Sequence, residues 1–192
     1  MENTLDHFEE QNHLTDKDIL TKIWIAPRSI FKYINDSKYD KYTYIFLFLS
    51  GVSSAFDRAN MKNLGDEMSL FTIIGLCIIL GGLFGWINFY LYAALCSWTG
   101  KWLNGQGNTN SILRIISYAM LPLILSLILL IPQLLIFGNE IFKEAGTLYS
   151  DGWISKIIIY TFFLFDLLLG AWSIILLIIG IGSLQLVLEQ GE

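Results

Sequence analysis

The sequence predicts an all-α, polytopic helical membrane protein, with four spans preceded by an N-terminal amphipathic interfacial helix. Three observations carry that prediction. Ser69 to Gly100 is a run of 32 residues without a charged side chain, whereas about 20 apolar residues suffice to cross the hydrocarbon core. Charged residues make up only 15% of the chain, against about 25% in soluble domains, and the mean hydropathy is +0.56. Two further apolar runs, Ser111 to Phe137 and Trp153 to Leu188, follow the central one.

The totals also exclude several classes. A chain of 192 residues fits one membrane domain and leaves no room for a separate enzyme domain. A net charge of −5, with the acids at the two ends and in loops, argues against a nucleic-acid partner. Cys77 and Cys96 both lie in the central apolar run and read as small buried hydrophobes. The first 18 residues are acidic and polar, which is not the pattern of a secretory signal peptide.

Residues 1–15 read as a polar cytoplasmic tail. His7 and His13 do not share a helical face and have no third partner nearby, so no metal is expected. Residues 16–41 form the amphipathic segment. Ile19, Ile23, Ile30 and Ile34 recur at helical spacing beside Trp24 and Phe31, with Lys17, Lys22, Arg28 and Lys32 supplying positive charge. Thr15 or Asp16 suits an N-cap. Pro27 suits the first turn of a second short helix and ends the first near Ala26. Trp24, Arg28 and Phe31 are the expected membrane-interface residues. An equally good reading packs the same stripe on the protein's own spans.

The membrane domain is expected over 42–189, with spans at about 42–63, 69–100, 111–137 and 153–182. The first has only 15 uncharged residues, Tyr42 to Phe56, and is expected to continue past Asp57 and Arg58 to about Asn63, with Gly65 as its stop. Those two charges are expected to reach the headgroups. The second span is too long for a straight crossing, so it must tilt, kink or extend beyond the membrane. Gly81 and Gly85 form a small-residue packing pair, and Trp98 and Trp102 mark a membrane face. Asn88 is its one strongly polar residue. A turn-rich loop precedes the third span, with Asn110 or Ser111 as cap. Pro122 and Pro132 should bend that span, and Arg114 can snorkel near its start. The last run is broken by Lys156 and Asp166, and a hairpin within it would have only Gly170 for a turn, so it reads as one long helix to about Gly180 or Gly182. Six of the twelve Lys and Arg residues precede the first span, which places the N-terminus in the cytoplasm.

Four stretches together resemble the Yip family (Ypt-interacting proteins) in the form common in bacteria. They are Ala26-Pro27-Arg28, the glycine-rich second span leading into Leu103-Asn104-Gly105-Gln106-Gly107, Ser117-Tyr118-Ala119-Met120-Leu121-Pro122, and Trp172 to Gly182. The resemblance covers roughly residues 20 to 185. It implies an all-helical membrane domain, usually of five spans, in the bacterial cytoplasmic membrane. Eukaryotic relatives are associated with Rab-type GTPases and vesicle traffic. The chain departs from the pattern after Gln185, where a polar turn and a fifth span are expected and only Leu186 to Glu192 follow.

Two functions follow as expectations. The first is a membrane protein without catalytic activity or cofactor, which organises the lipid bilayer or binds membrane or cytosolic protein partners. The second is a small transporter or channel that uses Asp166, an acid deep in an apolar helix, with Asn88 and Arg114 as further polar residues. The competing reading of Asp166 is structural pairing with Arg114 or Lys156. An intramembrane enzyme is disfavoured, because no span carries a His or Cys placed with a carboxylate.

Overall fold

A computed structural model describes residues 14–102, 107–144 and 152–189. The N-terminal tail with His7 and His13, the loop residues 103–106, and residues 145–151 and 190–192 lie outside the described residues. The described chain is all helical.

Two short helices lead in. Helix α1 (Asp16–Lys22) opens on a reciprocal capping box: the Thr15 hydroxyl accepts from the Asp18 amide while the Asp18 carboxylate accepts from the Thr15 amide. Helix α2 (Pro27–Asp36) has its proline in the first turn, where no donor is needed. Ile19, Ile23, Ile30, Phe31 and Ile34 are each 2% exposed or less. They pack with Ile115, Ile116, Tyr118 and Leu176 in one core. Of the two readings of the amphipathic stripe, the geometry favours packing on the protein itself. Phe31 lies inside that core rather than at a membrane surface, whereas Trp24 is half-buried and Arg28 is exposed.

Helix α3 (Thr43–Met61) runs through the middle of the bundle. Its end differs from expectation. The left-handed residue is Asn63, at φ +52°, and Gly65 sits in a following tight turn at Leu64–Asp66. Asparagine tolerates that conformation better than most residues because its side chain can bond locally.

The central apolar run forms one continuous rod in three parts. Helix α4 (Leu70–Leu76) is capped by Ser69, a π turn covers Cys77–Gly81, and helix α5 (Gly82–Trp102) completes it. The surplus length is therefore absorbed partly by an overwide turn next to the glycine pair. Gly81 and Gly85 face Gly51 of α3. A Cβ on Gly51 would stand 2.3 Å from the Gly81 carbonyl oxygen and 2.7 Å from the Gly85 Cα. Only backbones without side chains can cross this closely.

Helix α6 (Thr109–Ala119) is capped by Asn108, which accepts from the Ser111 amide at 2.7 Å, two residues ahead of the expected cap. At Met120 the helix breaks and α7 (Leu121–Phe137) begins with Pro122 in its first turn and Pro132 inside. Hydroxyls from other helices serve carbonyls around this break. Ser173 donates to Ala119 at 2.8 Å and Ser53 donates to Leu123 at 3.0 Å. A tight turn at Gly138–Phe142 follows. Helix α8 (Gly152–Glu189) then runs 38 residues without interruption, as the long-helix reading expected.

The expected count of four spans is not supported. Among the described residues, three helices are long and apolar enough to cross a membrane: Leu70–Trp102, Thr109–Phe142 and Gly152–Leu184. Helix α3 falls short because it carries Ser50, Gly51, Ser53, Ser54, Asp57, Arg58 and Asn60 within 19 residues. Ser50, Gly51 and Ser53 are buried against α5, α6 and α7, whereas Asp57, Arg58 and Asn60 are exposed near the end of the helix. Two cores divide the bundle along its length. One joins α1, α2, α6 and the late part of α8; the other joins the late part of α3, α4 and Phe142.

Candidate functional site

Asp166 lies 14 residues into α8 from Gly152, so roughly 21 Å along the helix. It is half-buried, and its Oδ1 is sealed from solvent without a hydrogen-bond partner. It lines a cavity of about 60 Å³ between α3, α7 and α8. Asp57, Asn60, Ser53, Ser126 and Gln133 supply the other polar groups, within apolar walls that include Phe56, Leu130 and Phe142. A larger cavity of about 420 Å³ shares Asn60, Gln133 and Asp166 and reaches Asn63 and Lys143 at the loop end of the bundle. Lys143 pairs with Glu140 at that end.

Local sequence explains how these groups converge. Ser53, Asp57 and Asn60 are spaced four and three apart, so α3 presents them on one face. Ser126 and Gln133 are seven apart on α7, two turns along one stripe. The two serine hydroxyls lie 3.1 Å apart, and each also lies within hydrogen-bond distance of the Leu123 carbonyl, at 3.0 and 2.6 Å. Asn139 clamps the loops beside the cleft by donating to the Gly65 carbonyl at 2.9 Å.

The residues expected to accompany Asp166 are elsewhere. Among the described residues no ion pair joins Asp166 to Arg114 or Lys156. Arg114 donates to Ser111 at 3.0 Å near the start of α6. Asn88 faces a separate groove of about 270 Å³, with Arg58, Phe84 and the crossing formed by Gly51, Gly81 and Gly85. Asp57, expected at the headgroups, is exposed and lines the rim of the Asp166 cavity. Sequence reading missed Ser53, Asn60, Ser126 and Gln133. The spacing of polar residues on α3 was the available signal, and its match to α7 and α8 depends on tertiary packing.

The expected interface residues sit at the opposite end. Trp98 and Trp102 are 55% and 70% exposed on the last turns of α5 and meet edge-on at 4.7 Å. Trp24, Ile25 and Arg28 emerge from the junction of α1 and α2. Among the described residues no group of three or more His, Cys, Asp and Glu converges.

Three long apolar helices wrapped on a partly polar inner one define an integral membrane protein. The chain matches the Yip1 domain family over residues 21–190 and belongs to that family. No curated protein and no solved structure matches it.

Proposed function

We propose that this Yip-family protein is a non-catalytic membrane organiser that binds protein partners or shapes lipid through the face built by α1 and α2. One observation carries the reading. The leading segment is locked to the bundle by buried Phe31 and Ile34, yet it leaves Ile25 88% exposed beside Trp24 and Arg28. A large apolar side chain displayed next to a cation on a rigid support suits an interfacial contact. The excess of Lys and Arg before α3 supports a cytoplasmic position for this face. The test is crosslinking of the full chain in its native membrane with Ile25→Ser and Arg28→Ala. Loss of specific partners from a folded, membrane-inserted variant supports the reading. An unchanged partner set, with unchanged lipid behaviour in vesicles, overturns it.

A second reading, a small transporter or channel, is favoured by one finding. Asp166 is joined at its cavity by Asp57, Gln133 and two serines, and ionisable groups at membrane depth tend to serve ion or substrate paths. Loss of ion-coupled uptake in Asp166→Asn proteoliposomes would support it, and wild-type flux would remove it.

A further inference from the structure

We propose that the cleft between α3, α7 and α8 binds a hard metal cation, a calcium or sodium ion, through oxygen atoms of Asp57, Asp166, Gln133 and the paired hydroxyls of Ser53 and Ser126. The proposal deepens the second reading above in its location only, because binding requires no transport.

The donor set points to a cation. No Lys, Arg or His lines the inner cavity. The two serines carry one proton each, and the contacts among Ser53, Ser126 and the Leu123 carbonyl absorb both. Toward the cavity these hydroxyls therefore offer lone pairs, which suit a positive ligand and repel an anion. The Asp166 carboxylate accepts from Gln133, while its Oδ1 is sealed from solvent with no partner. A carboxylate oxygen held that way is costly unless a positive charge or a proton completes it.

Chemistry and size narrow the ligand. Every polar group in the inner cavity can present oxygen, and none presents sulfur or imidazole. Carboxylate, amide and hydroxyl oxygens suit calcium and other hard ions, and disfavour zinc or copper. The inner cavity, about 60 Å³, exceeds the roughly 10–15 Å³ that a single water needs. It has room for a small ion that keeps part of its water. The larger cavity leads from this point past Asn60 to Asn63 and Lys143 at the loop end, which supplies a route.

The experiment uses the full chain purified in detergent. Equilibrium dialysis and thermal unfolding are followed while calcium or sodium chloride is titrated, with potassium chloride holding ionic strength constant. The wild type should show saturable binding and a raised unfolding temperature with one of the two ions, and the ion that acts identifies the ligand. Asp166→Asn and Asp57→Asn should each weaken binding by about tenfold or more, Ser126→Ala should weaken it less, and Glu67→Gln on the neighbouring loop should not. Monodisperse elution establishes that each variant is folded, and Asp57→Asn, at the exposed rim, guards against a core defect in Asp166→Asn. No binding of either ion by the wild type, or undiminished binding in both Asn variants, overturns the proposal and assigns the carboxyls protons instead. Loss of partners in Ile25→Ser with cation binding intact, or the reverse, separates this site from the organising role.

Discussion

Gly51 and Gly85 touch backbone to backbone: a Cβ built on Gly85 would lie 2.3 Å from the Gly51 Cα. No rotamer relieves that overlap, because both partners are main chain. The crossing of α3 and α5 therefore depends on these positions lacking side chains. Gly85→Ala should force the helices apart and cost about 1–3 kcal/mol, as overpacked cores do. At Gly75 and Gly170 an added Cβ would meet nothing within 4 Å. Alanine there should be neutral or gain up to about 1 kcal/mol from helix propensity. Unfolding of the four proteins in mixed micelles checks both signs.

Phe31 and Arg28 share α2 but should behave as opposites. Phe31 is fully buried, and a Cβ on Gly180 of α8 would come within 3.3 Å of its ring. Phe31→Ala should cost about 3–5 kcal/mol. Exposed Arg28→Ala should leave stability within about 0.5 kcal/mol. Chemical denaturation measures both, and equal effects would return Phe31 to the membrane surface.

The Asp16 carboxylate is clasped from three sides. It accepts from Tyr39 and Tyr42 at 2.6 Å each and pairs with Lys41. The Lys41 contact, then the two tyrosines, hold its pKa well below the usual carboxylate range. The same contact raises the Lys41 ammonium. Burial and the Asp16 bond push the Tyr39 phenol up. A carboxyl lowered on folding binds fewer protons folded than unfolded, so its contribution is full above the unfolded pKa of about 4. It fades as pH falls through the folded value. The gap in unfolding temperature between wild type and Asp16→Asn should stay constant from neutral pH down to about pH 5 and shrink below about pH 4. Asp18, lowered to about 2 by Thr15 and Lys22, should show the same sign.

Ser173 donates to the Ala119 carbonyl at 2.8 Å, one residue before the break between α6 and α7. Both groups are buried. Ser173→Ala strands that carbonyl and should cost about 1 kcal/mol. Thr161→Ala removes only a bond to the Ile157 carbonyl within its own exposed turn and should change stability little. Thermal unfolding of the two variants beside the wild type measures the difference.

Much of the architecture was legible because it is local. Thr15 and Pro27 announce helix starts within one turn, and the glycine pair announces a close crossing. The uninterrupted α8 was legible because Gly170 alone is too weak a signal to turn a chain. The inner helix was expected as a span from its brief apolar stretch; by length and composition it falls short of one, and its buried Ser50, Gly51 and Ser53 pack on neighbouring helices. The cleft was half legible. Asp166 stands out in its run, whereas its neighbours Asp57 and Gln133 lie 109 and 33 residues away in the chain. Pairing them requires knowing how α3, α7 and α8 meet. Arg114 and Asn88 were drawn to Asp166 by rarity alone, and packing separates them.

The π turn at Cys77–Gly81 has a rotational consequence. A turn of this kind holds one residue more than the α-helical ladder needs, and each residue carries about 100° of phase. Ile73 on α4 and Ala93 on α5 are both fully buried, in different cores. That surplus residue sets the angular offset between the two halves of the rod. Deleting Ile79, which is exposed within the turn, would tighten the ladder and swing Ile73 toward lipid while leaving Ala93 in place. The bundle would then keep its α1, α2 and α6 end intact and lose order at the end that holds the Asp57 and Asp166 cleft.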